Sequence, residues 1–492
     1  MAMRVLVALL VVTGMCGRAE AHVGNKDVYQ ELTVGPYKLF VTVRMPVVIP
    51  GVATVEVRSI GAPVDSLEMM PLLLTGEASK HPPTADAMKP NATDKQFFSG
   101  TLWIMGSGSW QIRLNVKGAA GAQTASVPVP AVPTKILRMQ KPLGVMLGAL
   151  GLLLVAGFVG IVTGATREAR LVPGAAVDAK RKRWSLVTGG AALVFAVFAV
   201  AMGGWWWNVE AADYASRMHK NSELRTTLEG DELVLHLGDP DAEDPKKWDE
   251  VPNKDLLLDH GHVMHLYAIR EPEMDEVFHL HPEPTGKAGL ALALPAMPAG
   301  TYKLYGDVVF PSGFPETETA TLTVPAGATH GPLGAEDASA APAPLSAGML
   351  GASYKLPDGY SMVWDKPATV DAATGYLLRF TLVDASGKPA SEMQPYLGMA
   401  GHAAFVKTDG TAFAHTHPEG TAAMPAVMLA EDSSMGASMP GMDMSGMKMA
   451  DEPVTPTVEF PYGFPSAGRY RIFVQMKHAG VVETGVFDVD VK

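Results

Sequence analysis

Residues 262–283, HVMHLYAIREPEMDEVFHLHPE, and residues 401–419, GHAAFVKTDGTAFAHTHPE, carry one pattern twice. In each, a short apolar run with an embedded histidine (MHLYAI at His265, GHAAFV at His402) is followed by His-x-His-Pro-Glu. Further along, AGTYKLYGDV at 299–308 matches AGRYRIFVQM at 467–476. The runs are short, rich in β-branched and aromatic residues, and bounded by Gly and Pro, which is the signature of strands. Two copies in the same order predict a duplicated β-domain.

Strand geometry gives the histidines a chemistry. Residues two apart on a strand project from the same face. His279 and His281 can therefore converge on one ion, and so can His415 and His417. Proline ends each strand after the pair and leaves both rings at a loop edge. His265 and His402 lie on the preceding strand, which a hairpin would bring alongside. Three imidazoles per repeat, one site in each, suit Cu(II) or Zn(II). The first repeat adds His260, His262 and Met264. Strand parity puts His262 and Met264 on one face and His265 on the other, so one site cannot use them all without a bulge. The second repeat has no counterparts of His260 and His262. Glu283 and Glu419 are candidate oxygen ligands or partners of the ligating rings. The competing reading makes these histidines hydrogen-bonded spacers that fix a turn.

A second signal is MPAVMLAEDSSMGASMPGMDMSGMKM, residues 424–449, inserted in the second copy. Neutral thioethers are soft donors that suit Cu(I). Met435, Met439, Met442, Met444, Met447 and Met449 are the candidate ligands. Gly, Pro, Asp and Lys interrupt the run and no helical period is sustained, so it reads as a loop. The sole cysteine, Cys16, falls in a segment expected to be removed. A chain without it has no thiolate for zinc, iron–sulfur or blue-copper sites. Residues 1–21 read as a secretory signal ending in Ala19-Glu20-Ala21. Cleavage there would make His22 the first residue, with its amine and ring as a chelating pair.

Working outward, charged residues make up only 18% and hydrophobics 47%, with net charge -12. No basic block lies in the long segments, so nucleic-acid binding is not expected. Residues 142–165 and 184–207 are long and apolar enough to be transmembrane helices. The loop at 166–183 holds Arg167, Arg170, Lys180, Arg181, Lys182 and Arg183, so it is expected in the cytoplasm. Two GxxxG patterns, Gly144/Gly148 and Gly160/Gly164, predict close packing of the first span on the second. The expected organisation is an extracytoplasmic β-sandwich at 22–138, the hairpin, a first repeat at 225–325, an Ala/Pro linker at 326–348 and a second repeat at 349–492. The fold class is therefore mainly β: three Ig-like or cupredoxin-like β-sandwich domains with a two-helix transmembrane hairpin.

The N-terminal stretch AHVGNKDVYQELTVGPYKLFVTVRMPVVIPGVATVEVR resembles exported FixH/YtkA-like β-domains. The two repeats resemble His-x-His-Pro domains of bacterial periplasmic proteins that handle copper and heavy metals, and the methionine run is similar to stretches in periplasmic copper-resistance proteins. The resemblance implies metal homeostasis at the inner membrane, with copper as the ion and zinc second, and leaves room for a periplasmic or inner-membrane protein partner. No metalloprotease, nucleophile-elbow, P-loop or dinucleotide signature is present, so no catalytic residue is assigned. Two other readings stand beside copper buffering, resistance or delivery: a metal-free Ig-like adhesion scaffold, and a copper-using redox subunit.

Overall fold

The structure, a computed structural model, describes residues 27–137, 139–238, 250–435 and 454–492. Residues 1–21, read above as a secretory signal with Cys16 in it, and His22, Met439, Met442, Met444, Met447 and Met449 lie outside the described residues. Contacts divide the chain into two units, 1–131 with 220–492, and 132–219.

Strands dominate the first unit, as the alternating sequence requires. In the N-terminal domain, Tyr37, Leu39, Val41 and Val43 alternate inward from the strand Tyr37–Arg44. They meet Leu67, Ile112, Leu114 and Val116 from the second sheet. Five strands ordered Val28–Val34, Tyr37–Arg44, Gly51–Ser59, Phe97–Ile104 and Lys89–Pro90 thus cover four others.

The two repeats share a topology. In the first, a sheet runs Pro315–Val324, Gly300–Val309, His265–Glu271, Val277–Leu280. In the second, the corresponding order is Val481–Val491, Gly468–His478, His402–Lys407, Phe413–Thr416. The registers match too: Tyr267 pairs with His279 as Ala404 pairs with His415, and Asp307 faces His265 as Gln475 faces His402. Each sheet is covered on one side by a second sheet of its own repeat. Leu266, Ala268 and Leu280 point into the first core, and Ala403, Phe405 and Ala414 into the second.

The other side of each sheet is also buried, because the two repeats pack against one another through it. Tyr267, Ile269, Val277 and Tyr305 of the first repeat join Ala404, Val406, Phe413 and Phe473 of the second in one apolar cluster. Phe413 stacks on Tyr305 with ring centres 4.3 Å apart. Arg471, fully buried, grips both oxygens of Asp488 at 2.8 and 2.9 Å in its own repeat. Its remaining donors reach the carbonyls of Met274 and Ala343 in the first repeat. Such a bidentate pair, capped by carbonyls, fixes the angle between the sheets.

The expected 326–348 linker is part of this architecture rather than a spacer. Residues Ala338–Ala340 add an edge strand beside Val277–Leu280. The methionine insertion also departs from the loop expectation, since Met424–Met435 is a helix. Its Ala426 and Ala430 bury against Leu74 of the N-terminal domain. That domain also holds the segment leading into the helix: the Glu31 amide donates to the Glu419 carbonyl, and the Thr421 amide to that of Tyr29. Gly420 sits in this junction at φ 144°, where an added Cβ would meet the Tyr29 carbonyl oxygen.

The second unit contains two helices, Lys141–Glu168 and Ala179–Ser216, both long and apolar enough to cross a membrane. They pair through Thr166 with Thr188, Thr163 against Gly189, and Phe158 against Phe195. The GxxxG glycines do not make this contact: a Cβ on Gly148, Gly160 or Gly164 would meet open space, and one on Gly144 only the Met139 sulfur. Small residues matter at a helix pair only where they lie on the facing stripe.

Phe413→Ala removes a fully buried ring from the inter-repeat face and should destabilise the protein by about 3–5 kcal/mol in chemical denaturation. Val481→Ala, at an exposed position, should change stability by less than about 0.5 kcal/mol. Equal effects would mean that the repeats do not depend on this interface.

Candidate metal centre

The register described above decides where the histidines go. On His265–Glu271 the inter-repeat face carries His265, Tyr267 and Ile269; on His402–Lys407 it carries His402, Ala404 and Val406. His279 and His281 follow Val277 on that face, and His415 and His417 follow Phe413. The expected separate site in each repeat is therefore replaced by two triads that meet in one cluster. His265 lies 5.0 Å from His415 between ring centres, and His279 lies 5.4 Å from it.

His260 and His262 join the same cluster by a route that strand parity could not foresee. Asp259–His262 is a tight turn, with His260 at φ 51° and Gly261 at φ 92°. The strand starts only at His265. The turn sends His262 against His281, ring centres 4.2 Å apart, and His260 across to the second repeat, 4.7 Å from His417 and 5.1 Å from His402. Met264 instead points into the first repeat's core, where its sulfur packs at Gly306 beside Leu224. Of the six candidate methionine ligands, only Met435 falls within the described residues, and by its backbone alone.

Eight imidazoles thus pack into one buried cluster. Five of them have an acceptor behind the ring. His265 Nε2 donates to the Asp259 carbonyl at 3.0 Å. His279 Nδ1 donates to Gln475 Oε1 at 2.8 Å. The Tyr396 hydroxyl lies 3.2 Å from the same Nδ1 and gives its own proton to the Glu336 carbonyl, so it can only accept there. His281 Nδ1 donates to Asp337 at 3.0 Å, and His262 Nε2 faces Glu336 at 2.9 Å. His415 Nδ1 lies 3.4 Å from Asp307. Acceptors behind a ring fix its tautomer and aim the other nitrogen's lone pair inward.

The consequence is sharpest between His265 and His279. With both outer nitrogens protonated, His265 Nδ1 and His279 Nε2 face each other as two lone pairs 3.1 Å apart. His402 Nδ1 and His415 Nε2 are 3.0 Å apart. The Nε2 atoms of His260, His281 and His402 are buried without any hydrogen-bond partner. A proton cannot settle the matter cheaply. Burial, and then the charge of neighbouring imidazoles, holds His265, His279, His402, His415 and His417 well below the usual histidine range. Burial lowers His281 too, against the pull of Asp337. Neutral rings with convergent lone pairs are what a divalent or monovalent transition metal requires. His265, His279 and His415 form one trio of suitable ligand atoms, and His402, His415 and His417 form another, all within 4.8 Å of each other in each trio.

The acidic wall sits at the rim. Glu283 and Glu336 are exposed beside His262. Deeper in, burial pushes Asp307 up to about 7 and Glu318 to about 10. Glu419 is held by burial above the usual carboxylate range and lends only its carbonyl to Glu31. His478 packs on Tyr360 at the far end of its strand, where it pairs with Val481, and His236 pairs with Glu250; neither joins the cluster.

Asp259, Asp307, Glu336, Asp337, Tyr396 and Gln475 complete the centre and were not singled out by the sequence. Asp307 and Gln475 had a usable signal: they are polar residues at the same position of the two matched segments, AGTYKLYGDV and AGRYRIFVQM. Glu336 and Asp337 had none, lying in an Ala/Pro-rich stretch.

Comparison with known proteins adds one match. Residues 354–492 match a domain of unknown function, DUF8832. The DUF8832 span includes His402, His415 and His417 and excludes the other five imidazoles. No curated protein matches the chain. Among solved structures, Escherichia coli alpha-2-macroglobulin activated by porcine elastase aligns at 9% identity and TM-score 0.18, over 92% of this chain and 30% of that one. Dimeric latent PorU from Porphyromonas gingivalis aligns at 8% and 0.14, over 95% and 34%. An ICAM-5 ectodomain fragment aligns at 9% and 0.15, over 93% and 84%. The chain spans 30%, 24% and 34% of the first three such structures. At these scores the likenesses carry no argument.

The metal-free protein should lose stability on acidification. Below an unfolded pKa of roughly 6.5, the unfolded chain binds protons that the five depressed imidazoles refuse, so stability present at higher pH is lost as pH falls. Asp307 and Glu318 oppose this with about one proton each. The net loss between pH 6.5 and 5.5 should be on the order of 2–3 kcal/mol. Urea unfolding of chelator-treated protein at the two pH values checks it; unchanged stability would contradict the neutral, buried state of these rings.

Proposed function

We propose that this chain is a membrane-anchored, extracytoplasmic metal-binding protein that holds copper in the histidine cluster between its two β-repeats. The observation that carries the reading is the pair of inward lone pairs on His265 and His279, each fixed by an acceptor behind its ring. Hydrogen-bonded spacers would instead pair donor with acceptor across that gap. An all-imidazole, water-poor site suits copper or zinc. The methionine run favours copper, because thioethers are soft donors for Cu(I). Buffering, resistance or delivery of the ion fits a chain with no catalytic signature in its sequence.

Placement follows from the helix pair and the charges around it. The basic residues between the helices favour a cytoplasmic connection, which puts the β-domains on the outer side of a bacterial inner membrane. The signal segment and the thiol-free remainder of the sequence support the same compartment.

The test uses the full chain in detergent, purified without a histidine tag and titrated with Cu(I), Cu(II) and Zn(II) against competing chelators. Copper should bind tighter than about micromolar, roughly -8 kcal/mol. His279→Ala with His415→Ala should weaken it by at least about tenfold, or about 1.4 kcal/mol. Zinc held more tightly than either copper ion would reassign the metal. Binding weaker than micromolar for all three would remove the reading and leave a scaffold.

A further inference from the structure

We infer that the cluster is polynuclear: it holds at least two transition-metal ions side by side, and His260 of the first repeat completes the coordination of the ion held by the second. This rests on the metal-binding reading above.

Donor number is the first reason. One ion takes about four imidazoles, six at most. Eight rings form this cluster, and those with an acceptor behind them each have one nitrogen left for an ion. Two to four would go unused around a single metal, at the cost of burying unpaired polar atoms. The buried Nε2 atoms of His260, His281 and His402 already have no hydrogen-bond partner.

The arrangement is the second reason. The ligand atoms fall into two trios that share His415. Each contains a close nitrogen pair, at 3.1 Å for His265 with His279 and 3.0 Å for His402 with His415. Two nitrogens at that spacing, each about 2.0 Å from a common ion, subtend roughly 100°. Two such bites in adjacent trios describe two neighbouring ions.

The third reason is the crossing of His260. Its side chain is buried, with only 3% exposed, and it lies with His402 and His417 rather than with its own repeat. The turn that places it requires a left-handed backbone at His260 itself. His262, next in the turn, packs on His281 instead. One turn therefore supplies a fourth ring to each side, and the second repeat's lack of its own counterparts is made good from the first. The second repeat cannot complete its ion alone.

The experiment counts ions on the full chain in detergent. Zn(II) serves as the counting probe, because thioethers bind it poorly and the methionine run then adds little. After desalting, mass spectrometry of metal and protein should give two or more zinc ions per chain. Cu(II)-loaded protein should show less integrated paramagnetic resonance intensity than its copper content, as neighbouring spins couple. His260→Asn, which tolerates the left-handed backbone, should lower the zinc count by one while thermal unfolding shows a folded protein. A wild-type count of one, or full resonance intensity from every copper, overturns the inference and leaves the proposed function standing. A count of zero for zinc and for copper alike removes both. An unchanged count in folded His260→Asn overturns the crossing.

Discussion

Two sheets pressed together through faces that carry imidazoles must do something with the lone pairs. In this protein the apolar part of the contact, built on Tyr267, Tyr305 and Phe413, dries the space around the rings. The acceptors behind them remove the freedom to turn a proton inward. What remains is a pocket of neutral donors that water cannot solvate and protons charge only at a cost. The rest of the structure serves that condition. Arg471 bridges the repeats, and the N-terminal domain pins residues 419–421 just after the second His-x-His.

Duplication gives the centre its form. Asp307 and Gln475 occupy equivalent places in the two sheets, opposite His265 and His402. Yet each serves the other repeat: Gln475 holds His279, and Asp307 faces His415. That reciprocity is what a two-fold contact between like surfaces produces. The copies have since diverged. The first carries the His260–His262 turn and a tyrosine at position 267, and the second carries alanine at 404 and the methionine insertion.

The strands were legible because period-two patterning and Gly/Pro boundaries are local properties, and the His-x-His pairs were legible because strand parity is local too. The meeting of the two triads was not. Both faces of His265–Glu271 are apolar, Leu266 and Ala268 on one and Tyr267 and Ile269 on the other, so alternation cannot tell core from interface. His262 and Met264 were placed together by extending strand parity through a turn that only the backbone at His260 reveals. The segment at 326–348 looked like a spacer because its composition lacks bulky groups, although Glu336 and Asp337 reach His262 and His281. The methionine run hid a helix because its anchor is two alanines, which make little sequence signal. The GxxxG motifs were real in sequence but lie off the helix-pair contact.

The most direct test is anomalous diffraction at the copper edge from crystals of the full chain loaded with copper. The account predicts a peak between His265 and His279, about 2.0 Å from Nδ1 of the one and Nε2 of the other. A map with no anomalous density among these rings, and with His265 or His279 turned to pair its inward nitrogen with a protein donor, would contradict it.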